Sequence, residues 1–161
     1  MQPLELPTVR APAGADESSV RPPFLTAAQI RKLKSLALRD PGVRRIVARH
    51  HPHVQRVVPW VSEAEPHVRG GNVQIAMRPP ARLIDERLPA TIYPNDEAPF
   101  GTPILHRRAR FWATRVTELD ATVELGSERI VQVEPAGDEV EVRRIELVGP
   151  PPGPAYRAEP D

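Results

Sequence analysis

The apolar residues of this chain change their spacing at Pro52, and that change does most to limit what the chain can fold into. Ahead of the proline they recur at intervals of three and four, and beyond it they alternate. In the first part Ile30, Leu33, Leu36 and Ala37 form one stripe at helical period, with Arg31, Lys32 and Lys34 turned outward. Thr26 has the position of an N-cap, and Gln29 at N3 can reach back to it in a capping box. Leu25 and Ile30 have the spacing of a hydrophobic staple. Asp40-Pro41-Gly42 ends this helix near Arg39 and starts a second one. Asp40 caps the second helix, and Pro41 takes its first position, where a missing N–H costs least. Val43, Ile46 and Val47 supply its buried side, and His50-His51-Pro52 closes it.

Past Pro52 the alternation predicts strands. Val54, Val58 and Trp60 share a face, with Pro59 marking an edge or bulged strand. Val73, Ile75 and Met77 alternate with polar neighbours, Pro79-Pro80 reads as a turn, and Leu88, Ala90 and Ile92 as the return strand. After a turn-rich loop over 94–103, residues 104–117 form the longest strand. It carries Trp112, Thr114 and Val116 on one side and Phe111 and Ala113 on the other. Val123, Leu125, the Gly126-Ser127 turn and Ile130, Val131 and Val133 form a hairpin. In the last strand, 139–148, Val140 and Val142 fall out of phase with Ile145 and Leu147, which a β-bulge at Arg143-Arg144 repairs. Strands that follow helices, rather than alternating with them, indicate an α+β fold. The expectation is an N-terminal helical pair packed on a curved antiparallel sheet of five to six strands.

The 161 residues include 21 prolines, and many of these gather at the ends. Residues 1–22 have no apolar period and cannot bury enough surface to offset their ordering entropy, so they read as a flexible arm. The proline run from Pro150 makes 150–161 a proline-rich tail, leaving 23–149 as one domain. With no cysteine, the chain has no disulfide, thiolate metal site or cysteine nucleophile. No run approaches the roughly 18 apolar residues that a membrane-spanning helix needs. The start lacks the basic and apolar regions of a signal peptide, so a cytoplasmic location is the expectation.

Two stretches resemble known modules. Phe24-Leu25-Thr26-Ala27-Ala28-Gln29-Ile30, followed by Asp40-Pro41-Gly42-Val43, resembles the opening helix of the small N-terminal domains of copper amine oxidases. Leu119-Asp120-Ala121-Thr122-Val123-Glu124-Leu125-Gly126-Ser127-Glu128-Arg129-Ile130-Val131 resembles the strand–turn–strand of those domains and of PepSY-like modules. The resemblance implies a cystatin-like arrangement, a helix laid across a curved antiparallel sheet, and a non-catalytic module that binds, inhibits or assists a partner. No Asn-Tyr-Asp/Glu sequence that could become the quinone cofactor is present, so no catalytic residue carries over and no cofactor is expected.

The residues themselves point the same way. GxSxG, P-loop, GxGxxG and HExxH signatures are all missing. Asp85-Glu86 and Asp96-Glu97 are adjacent pairs, and neighbours on a strand face opposite sides, so neither pair is a catalytic dyad by itself. The loop at 94–103 is a candidate binding lip, although its residues are also those that any long turn needs. His50, His51 and His53 form the one candidate metal site, for zinc or copper, with His67 or His106 as a third ligand. Against it, Pro52 interrupts the cluster, and histidine at a helix C-terminus also serves the helix dipole.

Charge placement is more telling than the net +1. Residues 21–56 hold nine basic residues against Asp40 alone, whereas residues 118–141 hold eight acidic residues against Arg129. The expectation is a protein-binding or accessory module, self-assembling or docking a protein partner. Its contacts are a basic helical face (Arg31, Lys34, Arg44, Arg45) and an acidic strand face (Glu124, Glu128, Glu134). The alternative is a nucleic-acid or anion-binding protein that uses the arginine-rich helical segment, assisted by Arg107, Arg108 and Arg110. No RNP1 or GXXG motif and no aromatic series supports that alternative.

Overall fold

The computed structural model describes residues 24–62 and 67–157. The arm expected over 1–22 and the last residues of the tail, 158–161, lie outside the described residues. Helix α1 (Ala27–Arg39) begins at Thr26, whose hydroxyl accepts from the Gln29 backbone N–H while the Gln29 side chain accepts from the Thr26 N–H, the anticipated capping box. Helix α2 (Pro41–Val47) follows directly, with Asp40 as its N-cap and Pro41 at its first position. Five strands complete the fold: β1 (His53–Val61), β2 (Val68–Ile92), β3 (Leu105–Glu124), β4 (Arg129–Ala136) and β5 (Glu141–Leu147). Two helices packed on an antiparallel sheet make the α+β class plain. No helix among the described residues is long and apolar enough to cross a membrane.

The strands run in the order β1-β2-β3-β4, and β5 pairs with the first half of β3. Strand β3 thus has three neighbours: β2 along its length, β5 against Ala109–Thr114 and β4 against Glu118–Glu124. Strand β1, which carries Pro59, is an edge, as that proline requires.

Pro79-Pro80 is not a turn. Strand β2 runs through it, and the pairing with β3 lapses between Ala76↔Glu118 and Ala81↔Val116. Prolines have no N–H to give a ladder, so the pair interrupts the bonding without reversing the chain. The expected separate strands on either side are therefore one long, bent strand. The same is true of β3, which joins the strand expected at 104–117 to the first arm of the expected hairpin.

Two residues at the bend take left-handed backbone, Asp85 (φ 56) and Arg115 (φ 56). Each is an extra residue that switches which side chains face inward. In β2 the buried set passes from Ala81 and Leu83 to Leu88 and Ala90, and in β3 from Phe111 and Ala113 to Val116. Val116 consequently lies on the inner face and not beside Trp112, where simple alternation put it. The bulge expected at Arg143-Arg144 is present: Trp112 pairs with Arg144 and Ala113 with Val142, so Arg143 is skipped.

The helices lie on the inner face. Leu33, Leu36 and Ala37 of α1 and Val43 and Ile46 of α2 are buried against Val73, Ile75, Leu119, Ala121 and Val133 of the sheet. At about 25 cal/mol per Å², this apolar burial is the main force holding the helical layer down. Close approach at the α2 junction needs a glycine, because a Cβ on Gly42 would meet the Arg87 carbonyl oxygen at 2.1 Å.

Candidate interaction surfaces

The two charged sets divide between two sides of the molecule, except that Glu128 lies beside the helices. Arg31, Lys34, Arg44 and Arg45 are exposed on the helical layer. Val73, Ile75 and Leu119 point inward, so Asn72, Gln74, Glu118, Asp120, Thr122 and Glu124 face outward from the other side of the sheet, joined by Glu134 opposite Asp120. Basic and acidic layers therefore have the hydrophobic core between them. Among the described residues, the helical layer is joined to the strands and their turns by the ion pairs Lys32–Glu128 (3.0 Å), Arg45–Glu86 (3.1 Å) and Asp40–Arg108 (2.9 Å).

Of the three acidic residues singled out from sequence, Glu134 remains exposed, with Gln132 donating to it. Glu124 accepts from Arg69 at 2.8 Å and from Ser127 at 2.7 Å, and these bonds, the Ser127 one foremost, hold its carboxyl below the usual range. Glu128 belongs to the turn beside the helices, where it meets Lys32. The most perturbed group of the outer face is Asp120, which the sequence did not single out. Burial first, then a hydrogen bond and negative charge from Glu118 and the charge of Glu134, push its carboxyl up to about 8. One Asp120 oxygen is buried without a hydrogen-bond partner. Protonation relieves that arrangement, since like carboxylates cannot all remain ionised at close range.

The expected histidine metal site does not assemble. Among the described residues no group of three or more His, Cys, Asp or Glu could hold a metal ion. The His50 ring donates from Nδ1 to the Pro79 carbonyl at 2.7 Å, His51 takes left-handed backbone (φ 43) and His53 opens β1.

Asp85 and Glu86 separate as adjacent strand residues should. Arg110 grips Asp85 with two bonds of 2.6 and 3.0 Å, which hold that carboxyl low, while Glu86 meets Arg45. The outer face of β3 and β5 also carries Trp112, with the guanidiniums of Arg110 and Arg144 at 5.1 and 4.3 Å from its ring centre. Arg108 and Arg110, read as auxiliary nucleic-acid contacts, are thus committed to internal carboxylates.

The loop over 94–103 is braced by the C-terminal segment. Asn95 donates its backbone N–H to Ala155 O (2.9 Å) and its side-chain amide to Pro154 O (2.8 Å), and Tyr156 donates to Pro103 O (2.9 Å). Residues 154–157 of the expected tail are therefore docked along the loop. Phe100 stands fully exposed at the loop's tip.

A cleft of about 450 Å³ opens where the end of β2 crosses the free edge of β4. Ladder pairing skips Val131, and its carbonyl accepts from the buried Thr91 hydroxyl at 2.8 Å, which fastens this seam. Arg39, Arg107, Arg108, Arg129 and His106 line the cleft with Asp40, Glu128 and an apolar wall. Burial foremost, and then the Arg129 charge, hold the His106 imidazole below its ordinary value. These residues are scattered from 36 to 131 in the chain, and no local motif joins them. A surplus of arginine was the one sequence signal that bore on them. The chain matches no protein-family model, no curated protein and no solved structure, so the geometry itself has to carry the functional reading.

Proposed function

We propose that the chain is a non-catalytic protein-binding or accessory module, working through its basic helical face and its acidic strand face. The observation that carries this reading is the placement of Arg31, Lys34 and Arg44 on one outer layer and of Glu118 and Glu134 on the other. Charges separated by a hydrophobic core do not neutralise one another, so each face keeps its field for a partner. Because the two faces lie on opposite sides, a second copy would meet the first head-to-tail, and not about a two-fold axis that pairs a surface with itself. The resemblance of residues 24–30 and 119–131 to cystatin-like and PepSY-like modules supports the same reading. The test is charge reversal at Arg31 and Arg44, neither of which has an ion-pair partner among the described residues. Self-association by sedimentation equilibrium, or retention of a captured partner, should weaken about tenfold in the double variant and fall with salt. Association that ignores both the substitutions and the salt would falsify the reading.

A further inference from the structure

We infer that the seam cleft is a binding site for a small organic anion, a carboxylate or phosphate monoester carried on an apolar body. Several features of the cleft agree on that chemistry. Its two carboxylates are already committed, Asp40 to Arg108 at 2.9 Å and Glu128 to Lys32 at 3.0 Å. Arg39 and Arg107 line the same space and form no ion pair with a carboxylate among the described residues, and Arg129, though its charge reaches Glu124 across the ladder, makes no close ion pair. Arg107 gives one N–H to the Val148 carbonyl, which steadies it and leaves its other donors unused by any carboxylate. The cleft is therefore positive once its internal pairs are counted, and guanidinium forks match the oxygens of a carboxylate or phosphate.

The N-terminus of α2 cannot take the anion, because the Asp40 side chain already accepts from the Gly42 and Val43 N–H groups at 2.9 and 3.1 Å. Binding must fall on the arginines. Leu36, Pro41, Pro89, Ile130 and Val131 form the rest of the wall, so a ligand with an apolar body gains there what a bare inorganic ion does not. The volume of about 450 Å³ suits a ligand of ordinary metabolite size. His106 stands at the rim beside Arg129 and supplies a reporter, since an anion seated there offsets the arginine charge that disfavours its imidazolium.

The experiment is a titration of the full chain with phenyl phosphate, inorganic phosphate and phenol, followed by calorimetry and by the ring resonances of His106. Phenyl phosphate should bind more tightly than inorganic phosphate, phenol should not bind, and the His106 resonances should move with saturation. Arg39→Gln with Arg129→Gln should weaken phenyl phosphate about tenfold or more, the loss expected for charge-assisted bonds. Both arginines are exposed at the protein surface, and a thermal melt of the double variant checks that its fold is kept. The proposal is overturned if phenyl phosphate leaves His106 unmoved, if phosphate and phenyl phosphate bind alike, or if the double variant binds as the parent does. The partner contacts tested above, Arg31 and Arg44, are not altered by these substitutions, so failure here leaves the reading above standing, and the reverse holds.

Discussion

Asp40 offers the sharpest test of how the helical layer is fixed to the sheet. Its Oδ2 caps α2 by accepting from the Gly42 and Val43 N–H groups, and its two oxygens also take Arg108 at 2.9 and 3.2 Å. Arg108 in turn donates to the Arg87 carbonyl at 2.7 Å, so one carboxylate ties the helix junction to both long strands. The Asp40 side chain is 7% exposed and that of Arg108 is 38% exposed, which makes this a half-buried pair. Losing an N-cap costs about 1 kcal/mol. Breaking a fully buried pair costs about 3–5 kcal/mol and an exposed one at most about 1 kcal/mol, so this pair falls near 2 kcal/mol. Asp40→Ala should therefore destabilise the chain by about 3 kcal/mol, and Asp40→Asn, which keeps the cap but not the charge, by about 2 kcal/mol. Urea unfolding with an unchanged m-value measures both. A double-mutant cycle with Arg108→Met should return a coupling of about 1–2 kcal/mol. A cost for Asp40→Ala below about 1 kcal/mol, or no coupling to Arg108, would refute the role given to this carboxylate.

Two further predictions concern the outer face and the helix junction. Asp120 is held up to about 8 in the fold against an ordinary 3.8, so the folded chain keeps a proton that the unfolded chain releases. The stabilisation is complete below the unfolded value and is lost as pH rises toward the folded one. Stability should thus decline between about pH 4 and about pH 8, and Asp120→Asn should flatten that slope in urea titrations; an unaltered slope rules the group out. Gly42→Ala places a Cβ 2.1 Å from the Arg87 carbonyl, and should cost about 1–3 kcal/mol by pushing α2 off β2. A thermal melt equal to that of the parent would show that α2 has room to move.

Local chemistry was legible in the sequence because its causes are local. The Thr26–Gln29 box, the Asp40-Pro41 helix start, the edge proline at 59 and the skipped residue at 143 each follow from a residue type and its immediate neighbours. So did the segregation of charge along the chain. What failed, failed where distance mattered. Pro79-Pro80 carries the composition of a turn, and only the pairing of both flanks to the same β3 shows that the chain continues through it. Val116 changed faces because Arg115 takes a left-handed conformation at the bend, which a count of alternating residues cannot register. The three histidines were close in number and formed no metal-holding group among the described residues, whereas the cleft arginines were distant in number and met in space.

That a helical pair precedes antiparallel strands, and that basic and acidic residues belong to different elements, can be read from the residues in order. Those are properties of periodicity and order, which every local stretch of chain carries. Only the fold shows that Arg31, Lys34 and Arg44 lie on the other side of the core from Glu118 and Glu134, that Asp120 lies among carboxylates, and that the end of β2 meets β4 to open an arginine-lined cleft. The physical reason is the bend. Two extra residues and two prolines curl a pair of long strands over the helical layer, and how far a sheet curls depends on pairing between residues far apart in the chain.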